Sequence, residues 1–191
     1  MRRYPFALVP MLLLAACSST GTSSTPSASP TDAGSYVTSQ CAIVGGAPTP
    51  SESAPTRGTT VDGVTVEDTD MAPVVTVAPG LPAATSLVKE TLLPGKGATL
   101  KATDNASFNY CGVGLTTQTQ FDSSWANGQP FTTTLDQVIA GWGEGLPGMK
   151  IGEERLLIIP SDLAYGPSGA GSSILPNESL AFVVQLVSID N

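Results

Sequence analysis

The sequence predicts an α+β domain, in which one short helix packs against an antiparallel sheet. Two observations predict it. From residue 84 onward the apolar runs are short and β-like, giving predicted strands over 86–93, 106–115, 129–134, 154–159 and 179–189. A single stretch, 136–144, instead carries apolar residues at helical spacing, at Val138, Ile139 and Trp142. One helix against several antiparallel strands is typical of this class.

Alternation supports the predicted strands. In 106–115, Phe108 and Tyr110 point to one face while Asn109 and Cys111 point to the other. In 179–189 the apolar residues likewise recur at every second position. A strand with this period has one face packed on a core.

The predicted helix has plausible ends. Thr134 or Asp136 suits its N-cap, and Gly145 suits its end.

Composition excludes several chemistries. The 191 residues suffice for one domain plus extensions, and they include no histidine and only 3 cysteines. Ser-His-Asp catalysis, imidazole metal sites and a tetrathiolate zinc site are therefore excluded, and we predict no metal and no cofactor. The 16 acidic against 8 basic residues argue against a nucleic-acid partner, because phosphate binding needs Lys and Arg.

The first 16 residues are predicted to be a lipoprotein signal peptide. Two arginines precede a short apolar run that is far below the ~20 residues a spanning helix needs. The tetrapeptide Leu-Ala-Ala-Cys that ends at Cys17 resembles a bacterial lipobox. We expect lipidation at Cys17 and an extracytoplasmic protein that is lipid-anchored to the bacterial cell membrane. The alternative is an ordinary signal peptide with an incidental cysteine.

Two segments separate this leader from the domain. In 17–60, Ser, Thr, Pro, Gly and Ala make up 34 of 44 residues, so we predict a flexible, disordered tether. Residues 61–83 contain two short valine-rich runs, which either add edge strands to the domain or pack on it loosely. The domain itself is predicted over 84–191.

The domain carries a recognisable series of motifs. In order, they are Phe121-Asp122-Ser123-Ser124, Val138-Ile139-Ala140-Gly141-Trp142, Gly145-Leu146-Pro147-Gly148-Met149-Lys150, Leu163-Ala164-Tyr165-Gly166, and Pro176-Asn177 before Leu180-Ala181-Phe182. Their order and spacing, over about residues 85–190, resemble those of FKBP-type peptidyl-prolyl cis-trans isomerases.

The resemblance implies an antiparallel half-barrel wrapped around one short helix, with a shallow apolar pocket for a prolyl ring. It implies catalytic roles for Asp122, the Tyr165 hydroxyl and the Ile139 backbone N–H. The remaining substrate-binding residues that it implies are Tyr110, Phe121, Phe131, Val138, Trp142, Ile174 and Phe182.

Such an activity suits the composition. Amide resonance creates a barrier of ~18–20 kcal/mol, and isomerisation breaks no bond, so no histidine, metal or cofactor is needed. The expected function is acceleration of X–Pro isomerisation during folding of exported or cell-envelope proteins. The expected partners are proline-containing unfolded polypeptides and, through the resemblance, macrolide inhibitors.

The sequence departs from the family pattern at the site. Asn127 stands where many members have an arginine, Gln137 replaces an often acidic residue, and Ser173 occupies a commonly apolar position in the flap over the pocket. These departures keep an alternative open, namely a non-catalytic module that binds proline segments or a partner on the same fold.

Two cysteines remain besides Cys17. Alternation turns Cys111 away from Tyr110, toward the outer face of the sheet, and the segment around Cys41 can fold back along that face. We predict a Cys41–Cys111 disulfide; the alternative is two independent reduced cysteines.

Overall fold

The structure, a computed structural model, describes residues 34–43 and 48–190, all within one compact unit. The predicted signal peptide, 1–16, and the predicted lipidation site, Cys17, lie outside the described residues. Within the described part of the chain, no helix is both long and apolar enough to cross a membrane. The chain forms two antiparallel sheets that pack face to face.

The C-terminal sheet has six strands: β6 (Val88–Leu93), β7 (Asn105–Gly114), β8 (Gln120–Ser123), β9 (Phe131–Thr134), β10 (Glu154–Ile159) and β11 (Leu180–Ile189). Its order is β6-β10-β11-β7-β8, and β9 also pairs with β7. Five of these strands agree with the predicted ones to within two residues. The sixth strand, β8, overlaps the first motif. It is short, so alternation of apolar and polar residues did not predict it.

The helical content differs from the prediction of one helix over 136–144. The described residues contain two short α-helices, α1 (Ser124–Asn127) and α2 (Ala140–Gly145), and two 3-10 helices, Ser161–Leu163 and Gly166–Ser168. Residues 135–138 form a turn, in which the Gln137 N–H donates to the Thr134 carbonyl and the Thr134 hydroxyl to the Asp136 carboxylate. These local bonds compete with a helical start, and α2 therefore begins four residues late.

The N-terminal sheet replaces much of the predicted tether and transition segment. Its strands are β1 (Tyr36–Gln40), β2 (Thr49–Ser51), β3 (Thr59–Val61), β4 (Val64–Glu67) and β5 (Val74–Val77), in the order β2-β1-β5-β4-β3. Within residues 61–83, β4 and β5 belong to this separate sheet, which packs on the outer face of the six-stranded sheet. They build the centre of a separate sheet, because alternate valines such as Val64 and Val75 bury one face.

Each face of the six-stranded sheet covers its own core. The inner face packs on α2 and contributes Phe108, Leu157 and Phe182. The outer face contributes Val113 and Ile158, and packs on the valines of the N-terminal sheet.

A disulfide joins the two sheets. Cys41 follows β1 and Cys111 lies on the outer face of β7, with their sulfurs 2.15 Å apart and both residues fully buried. The Ser123 hydroxyl donates to the Cys41 carbonyl at 2.7 Å. The covalent link therefore ties the end of β1 directly behind the strand that carries Tyr110.

Candidate functional site

A cavity of about 520 Å³ opens between the inner face of the six-stranded sheet and the start of α2. We call it the aromatic cavity. Its lining combines six aromatic side chains with two apolar side chains at the helix entrance and two polar side chains, an aspartate and a glutamine, at the rim. The residues are Tyr110, Phe121, Asp122, Phe131, Gln137, Val138, Ile139, Trp142, Tyr165 and Phe182.

Trp142 forms the floor of the cavity. It lies on α2 with only 3% of its surface exposed. Its ring meets Tyr110 and Phe182 edge to face, with centroids 5.4 and 5.5 Å apart. Such contacts hold aromatic rings in fixed orientations, so the apolar floor is preorganised.

One wall depends on a glycine. A Cβ built on Gly112 would lie 2.4 Å from the Phe121 ring and 2.9 Å from Phe182. These two rings pack edge to face at 5.4 Å directly over the backbone of β7. The absence of a side chain at Gly112 thus provides the space that these two rings occupy next to the strand.

The rim is polar and acidic. The Tyr110 hydroxyl donates a hydrogen bond to the Asp122 carboxylate. Burial, reinforced by this bond and by the negative charge of Asp122, raises the pKa of Tyr110 above its ordinary value. Burial and the charge of Asp122 also raise the pKa of Tyr165. Both phenols therefore keep their protons throughout the neutral range and remain hydrogen-bond donors.

Two donors at the mouth are available to a ligand. Tyr165 is 40% exposed, and its hydroxyl bonds to no other described residue. Ile139 ends the turn before α2, and its carbonyl accepts from the Trp142 N–H, whereas its own N–H has no protein acceptor in the described part of the chain. The late start of α2 leaves this N–H outside the helix ladder.

The cavity brings together nine of the ten residues for which we predicted a catalytic or substrate-binding role. Ile174 is the exception: it is buried in the core that also contains Trp142 and Phe182, but it is not part of the cavity lining. Ser173, the residue before it, is exposed.

Gln137 lines the cavity and was not among the predicted site residues. Its position directly before Val138 was the available signal. Within residues 34–43 and 48–190, no three acidic or cysteine side chains converge as metal ligands. What the cavity offers is a mainly aromatic and apolar space with hydrogen-bond donors at its mouth.

Comparison with known proteins identifies this arrangement. The family model of the FKBP-type peptidyl-prolyl cis-trans isomerases matches residues 96–187. A probable FK506-binding protein of Corynebacterium glutamicum is 42% identical over 107 residues, which are 56% of this chain and 90% of that protein. An FK506-binding protein of Streptomyces anulatus is 43% identical over 113 residues, covering 58% of this chain and 90% of that one.

Solved structures agree. The crystal structure of FkpA from Escherichia coli matches with a TM-score of 0.52 and 40% identity, over 56% of this chain and 49% of that chain. The family match covers β7 to β10, most of β11 and every residue that lines the aromatic cavity, whereas β6 and the N-terminal sheet lie outside it. The chain therefore belongs to the FKBP-type peptidyl-prolyl cis-trans isomerase family.

Proposed function

We propose that this isomerase acts on exported or cell-envelope proteins, using the aromatic cavity while a lipid on Cys17 holds it at the membrane. The isomerase activity itself follows from the family. The location and the clients rest on the leader sequence, and the residue roles rest on the geometry of the cavity.

The chemistry asks for a particular environment. Rotation about the X–Pro bond passes through a twisted amide that has lost its resonance. That state has less charge separation than the planar amide, so an apolar space stabilises it relative to the ground state. A prolyl ring held on Trp142 stays fixed while the preceding carbonyl turns.

We assign the orientation of the substrate to the two hydrogen-bond donors at the mouth of the cavity. The Ile139 N–H and the Tyr165 hydroxyl each offer one hydrogen bond to a peptide carbonyl on either side of the bound ring. Asp122 fixes the Tyr110 ring, which forms part of the wall. Each ~1.36 kcal/mol of preferential stabilisation of the twisted amide gives tenfold in rate, so a few such contacts account for useful catalysis.

The observation that carries this proposal is the juxtaposition of a buried Trp142 floor with unpaired donors at the mouth. Its test is refolding of two unfolded reporter proteins, one whose slow phase is proline isomerisation and one without proline. The chain should accelerate only the first. Acceleration of both would indicate a general chaperone, and acceleration of neither would contradict a folding role.

The membrane anchor is tested separately. The protein expressed with its leader should partition into the detergent phase and carry an acylated N-terminal cysteine, as read from the mass of its N-terminal peptide. Cys17→Ser should remain in the aqueous phase with an unprocessed leader. An unmodified, cleaved chain that begins elsewhere would contradict the anchor and leave the isomerase activity untouched.

Macrolide binding is a further part of the proposal. Two relatives are named as FK506-binding proteins, one of them as probable. The aromatic cavity of this chain has the aromatic floor that a bulky apolar ligand needs. Small or polar flap residues, Ala170 and Ser173, reduce apolar contact with such a ligand. We therefore expect binding that strengthens in Ser173→Ile, measured by calorimetric titration; unchanged affinity would contradict the flap contact.

A further inference from the structure

A second cavity, of about 230 Å³, lies beside the aromatic cavity. Its lining residues are Thr117, Thr119, Gln120, Phe121, Ser172 and Ser173. We call it the hydroxyl cavity, because four of the six lining residues carry a hydroxyl and a fifth carries an amide. Phe121 lines both cavities and is the wall between them.

The two segments that flank the hydroxyl cavity are held together by a glutamate behind its lining. Glu178 is buried, with 2% of its surface exposed. One of its carboxylate oxygens accepts from the Thr117 N–H and the Thr117 hydroxyl, both at 2.8 Å. The other accepts from the Leu175 N–H at 2.7 Å. A single carboxylate thus joins the turn between β7 and β8 to the end of the flap, and the cavity lies between these two segments.

The N-terminal sheet supports the same turn from behind. The Gln118 amide donates to the carbonyls of Val77 and Ala78, both at 3.1 Å, at the end of β5. The Gln120 amide donates to the Ile43 carbonyl at 3.2 Å. The three carbonyls that accept these hydrogen bonds belong to residues outside the family match. The N-terminal part of the chain therefore supports one side of the site.

The groups that face the cavity are chemically uniform. The Ser172 and Ser173 side chains are exposed, and their hydroxyls form no hydrogen bond with another described residue. The Thr119 hydroxyl donates to the Thr117 carbonyl and keeps its acceptor capacity. Among the described residues, no charged side chain lines the cavity, so none of them selects a cationic or anionic group. A short uncharged side chain that both donates and accepts hydrogen bonds fits this lining.

We propose that the hydroxyl cavity is a specificity subsite that takes an uncharged polar side chain of the substrate, such as Thr, Ser or Asn, one or two residues from the proline. The inference rests on the isomerase function of the aromatic cavity. An extended peptide advances about 3.3 Å per residue, so two residues suffice to carry it across the Phe121 ring.

The test uses peptides that differ only in Thr or Val, which have the same shape, placed in turn at each of the two positions before and after an X–Pro core. Two-dimensional exchange NMR with the purified full chain gives kcat/KM for each. At one position Thr should be favoured over Val by about three- to tenfold, as expected for one or two hydrogen bonds. Ser173→Ala should reduce that ratio to below about twofold, and Ser173→Ile should reverse it.

The matched control is Ser168→Ala, a flap serine that lines neither cavity, which should leave the Thr/Val ratio as in the wild type. If an all-alanine X–Pro peptide is accelerated but Thr and Val are equal at every position, the subsite is contradicted while the isomerase stands. A Thr preference that survives in both Ser173 variants also overturns the subsite. If no peptide is accelerated by folded protein, the catalytic function itself fails.

Discussion

The hydroxyl of Tyr110 on β7 donates a hydrogen bond to the carboxylate of Asp122 on β8, across the rim of the aromatic cavity. The two residues belong to neighbouring antiparallel strands, where Gly112 is paired with Asp122. The bond thus fixes the Tyr110 ring as a wall and keeps the carboxylate at the mouth. We therefore expect both catalysis and the geometry of the wall to depend on this contact.

Because the two side chains act through one bond, their removal should not be additive. Asp122→Val and Tyr110→Phe should each lower kcat/KM for an X–Pro peptide by about tenfold, and the double variant should lose little more than the worse single one. Exchange NMR of the wild type, the two single variants and the double variant completes this double-mutant cycle. If the losses of kcat/KM in the single variants multiply in the double variant, the two residues do not act through a shared contact.

Tyr165→Phe separates catalysis from stability. Its hydroxyl bonds to no other described residue, so removing it should leave the melting temperature unchanged. We expect kcat/KM to fall by about three- to tenfold, as for one lost substrate hydrogen bond. Tyr36→Phe, on β1 and remote from the cavity, is the matched control and should change neither quantity. A lower melting temperature in Tyr165→Phe would indicate a structural role instead.

The Cys41–Cys111 disulfide closes a loop with a sequence separation of 70 residues. By loop entropy its reduction should lower the free energy of unfolding by about 4 kcal/mol. Denaturant unfolding with and without reductant measures this, with the Cys41→Ala/Cys111→Ala double variant as the reductant-insensitive control. Peptide mapping should find both cysteines alkylated only after reduction; alkylation of the untreated folded protein would contradict the bond.

Glu154 predicts a pH dependence of stability. It is 1% exposed on the outer face of β10, opposite Gln185, and one of its oxygens has no hydrogen-bond partner. Burial, and then the charge of Asp68, raises its pKa from 4.5 to about 7. The folded state therefore holds a proton that the unfolded state has already released between these two values.

The stability of the folded state should therefore fall as the pH rises. The stabilising contribution of the neutral acid is complete below pH 4.5 and is lost as the pH rises through 7, by about 3 kcal/mol in total. Glu154→Gln should remove this slope, as measured by denaturant unfolding at several pH values. Glu90→Gln, an exposed glutamate on β6, is the control. A slope that persists in Glu154→Gln would contradict this origin.

Much of the site could be predicted from the sequence because its residues lie in a contiguous series of motifs. Strand β10 was predicted with its observed ends, since the run from Glu154 to Ile159 has no competing turn signal. Trp142 and Tyr165 were identified by motif position, and the structure brings both to one cavity. Their functional roles remain predictions.

The rest depended on tertiary pairing. The strands of the N-terminal sheet are three to five residues long and rich in Thr and Ser, a composition that by itself indicates a linker. Their stability comes from valines that meet Val113 and Ile158 of the other sheet, which no local pattern encodes. Ile174 lies in the core and not in the lining of the aromatic cavity, and its role in substrate binding stays a prediction.

We expect the aromatic cavity to catalyse X–Pro isomerisation. The most direct measurement is the cis-trans exchange rate of an X–Pro peptide by two-dimensional NMR, with the purified wild-type chain at substoichiometric concentration and with Asp122→Val. The exchange rate should rise in proportion to the concentration of the wild-type protein, and this acceleration should be largely lost in the folded Asp122→Val variant. Peptide signals that shift without faster exchange would contradict catalysis and would instead indicate a module that only binds proline segments.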